Sequence, residues 1–328
     1  MYGAKSYRQD IDGLRAVSIL TVILFQAGVD WAAGGYVGVD VFFVISGFLI
    51  TGLLVREASS TGRISIRNFY ARRLRRLLPL SATVLLATMT IGAWAVAPAD
   101  RTALVADARA AALYVANWRF SGQATAYSDT EVTESLLIHY WSLSIEEQFY
   151  VLWPLLIIVG IWITKAVPSI PLRHSLAVLL SALVATSFGF SVALTDSLGP
   201  EAYYLTQTRL WEMGIGAGLA LVGTNLTHVP TPIAHIAGGA GIASILYAVL
   251  TFDETTAFPG RVALIPVLGA AALIVAGAGG SGIINRALAS GPLPLVGRLS
   301  YAWYLWHWPA IGIAIIIDRP TGTAQTRA

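Results

Sequence analysis

A chain of 328 residues with 56% hydrophobic and only 12% charged side chains carries about half the charge of a soluble globular domain. Such a chain reads as an all-α, polytopic membrane helix bundle, which excludes counting domains by length as for soluble proteins. It has no cysteine, so disulfides, thiolate metal sites and a cysteine nucleophile are excluded as well.

The net charge of +3 hides an asymmetry. Basic residues gather early (Lys5, Arg8, Arg15) and again at Arg56, Arg63, Arg67, Arg72, Arg73, Arg75 and Arg76. Acidic residues such as Asp100, Asp129, Asp196 and Asp253 fall in other loops. The basic side is expected to be cytoplasmic, with the N-terminus on it. Topology and anionic head groups account for the arginines better than nucleic acid does.

Apolar runs of roughly 20 residues predict nine spans, at about 12–30, 37–55, 77–97, 144–163, 175–195, 205–223, 233–251, 261–278 and 299–317. A tenth is possible only if the segment 100–143 also crosses. Asp107 and Arg109 sit in the middle of its helical stretch, and a central charge is costly in lipid, so an external or re-entrant helix is expected there. The first run is too long for a cleavable signal and lacks a small-residue cleavage pattern, so it reads as a retained span. Residues 1–317 are expected to form the membrane domain and 318–328 a polar tail.

Ionisable groups inside spans are costly and hint at function. In "IDGLRAVSILTVILFQAG" (11–28), Asp12 and Arg15 are spaced to pair on one helix face. Gln26 lies three turns beyond Arg15, roughly 16 Å along the same face. Capping at the interface and an interhelical bond from Gln26 would explain the same residues. In "GGYVGVDVFFVISGFLIT" (34–51), Asp40 sits at the mouth of the second span, where a helix N-terminus favours a carboxylate in any case, and Ser46 lies deeper.

"RNFYARRLRRLLP" (67–79) forms a basic collar. It suits either membrane topology or the phosphates of an anionic donor, since guanidinium binds phosphate bidentately. "HYWSLSIEEQFYVLWP" (139–154) brings His139, Trp141, Glu146, Glu147 and Gln148 to one end of a span. Two adjacent glutamates cannot share one helix face, so different roles are expected, and Glu146 could reach His139. In "TRLWEMGIGAGL" (208–219), Arg209 and Glu212 are spaced as an intrahelical pair. In "GRLSYAWYLWHWPAI" (297–311), Tyr304 and His307 suggest a pocket, although such aromatics also build interfacial belts. Gly214, Gly216, Gly218, Gly238, Gly239 and Gly241 are expected to let helices approach closely. Pro79, Pro154, Pro266 and Pro309 are expected to kink or cap helices.

Taken in order, these six segments resemble the signature of the acyltransferase-3 family of bacterial integral membrane O-acyltransferases, from about residue 7 to residue 310. The resemblance implies a bundle of about nine to ten transmembrane helices with an internal cavity, in the bacterial cytoplasmic membrane. It implies transfer of an acyl group from cytosolic acyl-CoA to a hydroxyl of a sugar, glycolipid or cell-envelope glycan, without a metal. It places catalytic positions at Asp12, Arg15, Gln26, Asp40, Glu146 and Glu147. Arg72, Arg73, Arg75 and Arg76 would hold the CoA phosphates. Ser46, His139, Trp141, Arg209, Glu212, Tyr304 and His307 would contact substrate.

The family pattern in the first span is arginine, ten residues, histidine. Arg15 matches it, but the histidine position is Gln26. An imidazole can take the acceptor's proton near neutral pH, whereas an amide hydrogen-bonds without titrating. Transfer is therefore expected to be impaired. Three accounts stand: a deliberate replacement that retains ligand, which the otherwise intact motifs favour; a naturally inactive relative; or a base supplied by His139, His307 or a carboxylate. Outside the family reading, the same composition would suit a secondary transporter of a lipid-linked or small anionic solute, or a non-catalytic binding protein.

Overall fold

The computed structural model describes residues 7–124, 135–223, 229–279 and 282–318. Among the described residues there are α-helices and short 3₁₀ turns and no β-strand. In chain order the helices are α1 (Gln9–Gln26), α2 (Gly38–Thr61), α3 (Ile66–Ala95), α4 (Arg101–Ala112), α5 (Ala116–Ala124) and α6 (Tyr140–Ala166). They continue with α7 (Leu172–Leu198), α8 (Leu210–Val222), α9 (Thr231–Thr251), α10 (Leu264–Ala276), α11 (Ile283–Leu288) and α12 (Leu293–Asp318). The tail expected at 318–328 lies outside the described residues apart from its first position.

Five helical segments are long and apolar enough to cross a membrane: Gly35–Thr61, Ile66–Ala95, Tyr140–Ala166, Leu172–Tyr204 and Thr231–Thr251. Helices α8 and α10 have 13 residues each, about 20 Å at helical rise, short of the ~30 Å of a bilayer core. Helix α1 has 18 residues and opens with Asp10 and Asp12 in its first turn. The segment expected outside the membrane folds as α4 and α5, neither long enough to cross. They are broken at Tyr114, the one non-glycine described residue with positive φ, at 54°. Asp107 is buried there and bonds Arg119 and Ser135.

Helix α2 is the spine of the bundle. It packs against α1 and α6 and most extensively against α8, while α1 lies along α12 and α9 along α10. The α2–α8 crossing is a backbone contact. A Cβ on Gly47 would stand 1.9 Å from the Met213 carbonyl oxygen, and one on Gly216 would stand 1.9 Å from that of Val44. This is the small-residue approach expected of membrane helices. The expectation does not extend to every glycine: a Cβ on Gly218 would meet Leu180 at an ordinary 3.7 Å, and one on Gly239 would meet nothing. Pro79, Pro154 and Pro309 lie inside helices, and Pro266 lies in the first turn of α10.

Candidate active site

Helices α1, α2, α3, α6 and α12 line a partly open cavity of about 490 Å³. Its arginine end is built by Arg15, Arg56, Arg72, Arg73 and Arg76. Arg76 follows Arg72 by four residues and Arg73 by three, so it sits one helical turn beyond that pair, and all three line the cavity. Arg75 falls on another face, is exposed, and bonds only the Ala71 carbonyl of its own helix (3.0 Å). The four-arginine collar expected from sequence is thus split, three into the cavity and one away from it. Arg72 lies 3.7 Å from Glu57, and Arg15 lies 3.5 Å from Asp12, which also accepts from the Tyr7 hydroxyl. Asp12 itself is outside the cavity and holds Arg15 from behind.

Ser46 lies ten residues before Arg56 on α2, about 15 Å deeper by helical rise. It faces Glu146 and Tyr150, both one α6 turn apart, and its Oγ is in hydrogen-bond contact with each. The Tyr150 hydroxyl also donates to Glu146 Oε1 at 2.8 Å. The next residue, Glu147, turns to Arg73 at 3.5 Å, and the Arg73 guanidinium lies 3.5 Å from the centre of the Tyr150 ring. The paired glutamates do have different partners, as their adjacency requires, yet both line the same cavity. Glu146 does not reach His139, neither of whose ring nitrogens has a hydrogen-bond partner. Tyr114, from the break between α4 and α5, also lines this part, and burial raises its phenol above the ordinary value.

The far end of the cavity is marked by Ser142 and Tyr304, whose hydroxyls are 2.5 Å apart. Gln26 does not line it. Tyr304 lines the cavity, and Gln26 is linked to it through His307. The amide meets His307 Nε2 at 2.5 Å. His307 Nδ1 lies 2.7 Å from the Tyr304 carbonyl and 3.1 Å from that of Trp303. Carbonyls only accept, so Nδ1 carries the proton and Nε2 presents a lone pair. The amide atom placed against Nε2 is Gln26 Oε1, itself an acceptor, so a hydrogen bond here requires the amide turned with its NH₂ to the ring. His139 stacks edge-on to His307, ring centres 5.7 Å apart, and its backbone carbonyl accepts from the Tyr304 hydroxyl at 3.0 Å.

Asp40, Arg209 and Glu212 form a separate unit. Arg209 Nη1 donates to Asp40 at 2.8 Å and to Glu212 at 2.7 Å, and all three side chains are 0% exposed. The rings of Phe43, Trp141, Tyr203 and Phe258 surround the guanidinium. None of Asp40, Trp141, Arg209 and Glu212 lines the cavity; they back its wall through Phe43. Two adjoining contacts were not anticipated. Tyr150 carries an i, i+4 signal from Glu146 that sequence could have offered. The bonds of Gln148 to Asn117 and Thr206 join segments whose spacing gives none.

The model of a family described as "Acyltransferase domain" matches residues 8–324. The chain is 35% identical over 318 residues to the "Putative peptidoglycan O-acetyltransferase YrhL" of Bacillus subtilis, covering 93% of this chain and 49% of that protein. It is 33% identical over 318 residues to the peptidoglycan O-acetyltransferase OatA of Listeria monocytogenes, covering 94% and 50%. It is 31% identical over 322 residues to a "Putative O-acetyltransferase" of Staphylococcus aureus, covering 94% and 52%. The chain thus spans about half the length of these curated relatives. No solved structure matches it significantly. With the family model covering nearly the whole chain, the chain belongs to the acyltransferase-3 family.

Proposed function

We propose that the chain is a membrane O-acyltransferase domain that takes an acyl group from cytosolic acyl-CoA and delivers it to a hydroxyl of a sugar, glycolipid or cell-envelope glycan. The observation that carries this reading is the single cavity that joins an arginine cluster to an interior lined by hydroxyls and carboxylates. Arg72, Arg73 and Arg76 bind the CoA phosphates, with Arg15 and Arg56 beside them. The pantetheine arm runs along the apolar wall of α2, and the thioester reaches Ser46 and Glu146. The names of the relatives favour a peptidoglycan acceptor.

In this reading α1, α2, α3, α6 to α10 and α12 all cross the cytoplasmic membrane as residues 1–317, the short α8 and α10 together with the 3₁₀ turns beside them, Thr206–Thr208 and Gly277–Gly279, and the arginine end faces the cytosol. Asp40, Arg209 and Glu212 keep the wall rigid; Gln26, His139, Tyr304 and His307 form the acceptor side. Glutamine at position 26 leaves that side without an imidazole at the family's position, so acceptor transfer is slow. General-base assistance is worth about a hundred- to ten-thousand-fold in rate, and Gln26→His should recover a gain of that order.

The test is transfer from labelled acetyl-CoA to a peptidoglycan-type acceptor by membranes carrying the chain or Gln26→His. Product made by the variant and not by the parent supports the reading. Joint replacement of Arg72 and Arg73 by alanine should abolish acetyl-CoA binding; unchanged binding overturns the donor assignment. Solute flux in liposomes without any CoA thioester would favour transport instead.

A further inference from the structure

We propose that Ser46 is a nucleophile that carries the acyl group as an ester between donor and acceptor, with Glu146 as its base. This inference rests on the acyltransferase reading above. Its basis is a side-chain cluster that simple phosphate binding does not need. Ser46 Oγ contacts Glu146 Oε1 directly, so its proton has an acceptor in place. The Tyr150 hydroxyl donates to the same carboxylate oxygen at 2.8 Å, fixing its orientation. A nucleophile, a base and an orienting group in mutual hydrogen-bond reach make the arrangement from which hydroxyl nucleophiles act.

The cluster is also well placed and firmly held. All three groups line the cavity, between the arginines and the Ser142–Tyr304 end. The backbone after Ser46 is fixed because Gly47 packs on the Met213 carbonyl oxygen. Arg73, held by Glu147, covers the Tyr150 ring. Gln26 lies outside the cavity, so a carrier inside it gives the thioester a partner within reach.

The step balances without any further reactant. Ser46 Oγ attacks the thioester carbonyl carbon while Glu146 takes the hydroxyl proton. The carbon–sulfur bond breaks, and the departing thiolate recovers that proton from Glu146. The products are an acyl ester on Ser46 and free CoA thiol. An acceptor hydroxyl then attacks the ester carbonyl; its proton passes through Glu146 to Ser46 Oγ as the Ser46–acyl bond breaks. The family's imidazole at position 26 belongs to the acceptor side, linked to the cavity wall through His307 and the Tyr304 carbonyl. With glutamine there, the ester accumulates.

The experiment mixes the purified full chain with labelled acetyl-CoA, without acceptor, and reads acetyl-CoA binding, CoA thiol release and the position of label by peptide mass spectrometry. The expected result is up to one label per chain, on Ser46, with matching thiol release. Ser46→Ala should lose the label and keep acetyl-CoA binding. Glu146→Gln should slow labelling about a hundredfold or more. Because the chain has no cysteine, Ser46→Cys offers a single thiol, and its label should become a thioester cleaved by neutral hydroxylamine.

Label on another residue, or none on a chain that binds acetyl-CoA, overturns the proposal and leaves the acyltransferase reading standing. So does undiminished acceptor transfer by Ser46→Ala combined with Gln26→His. A chain that fails to bind acetyl-CoA at all overturns the donor reading and this inference with it.

Discussion

Arg209 holds two carboxylates at once in a site with no solvent contact, and that fixes what its loss costs. Replacing one partner of a buried ion pair strands the other charge, typically at ~3–5 kcal/mol. Arg209→Met strands both Asp40 and Glu212, so the variant should lose at least that much stability, read as a large fall in the temperature at which the detergent-solubilised protein leaves its monodisperse peak. Asp40→Asn should cost less, because Arg209 keeps Glu212 at 2.7 Å. A thermally unchanged Arg209→Met would remove the structural role assigned to the triad. Arginines that look alike in sequence divide in the same way: Arg76→Ala should weaken acetyl-CoA binding severalfold, while Arg75→Ala, on the far face of α3, should leave it unchanged.

Among the elements, α2 and α8 are locked by glycines where their backbones touch. Alanine at Gly47 or Gly216 would put a methyl group 1.9 Å from a carbonyl oxygen of the other helix, and backbone cannot swing aside as a side chain can. Either substitution should lower yield and thermal stability sharply, whereas Gly239→Ala, which meets open space, serves as the neutral comparison. Equal behaviour of all three would show that the crossing does not depend on close approach. Since Ser46 precedes Gly47, a shifted α2 should also slow transfer in any surviving Gly47→Ala protein.

Across the whole molecule, the charge asymmetry demands a definite topology. Arg63, between α2 and α3, and Asp253, between α9 and α10, are both exposed and stand on opposite sides of the membrane in the proposed arrangement. In the cysteine-free chain, Arg63→Cys should be labelled by an impermeant maleimide only in inside-out vesicles, and Asp253→Cys only in intact cells. Labelling of both from one side would overturn the crossing pattern.

The sequence by itself determined the helical character, the arginine-rich end and the pairs within one helix, Asp12 with Arg15 and Arg209 with Glu212. Each of these follows from apolar run length or from helical spacing over three or four residues. The tertiary structure decided the rest: Arg209 with Asp40 across 169 positions, Ser46 with Glu146 across 100, and Gln26 with His307 across 281. It also decided that Ser46 lines the cavity and Gln26 does not. Such pairings depend on which helices neighbour one another and how each is rotated. Backbone contacts such as Gly47 on Met213 set that rotation, and no local period in the chain encodes it.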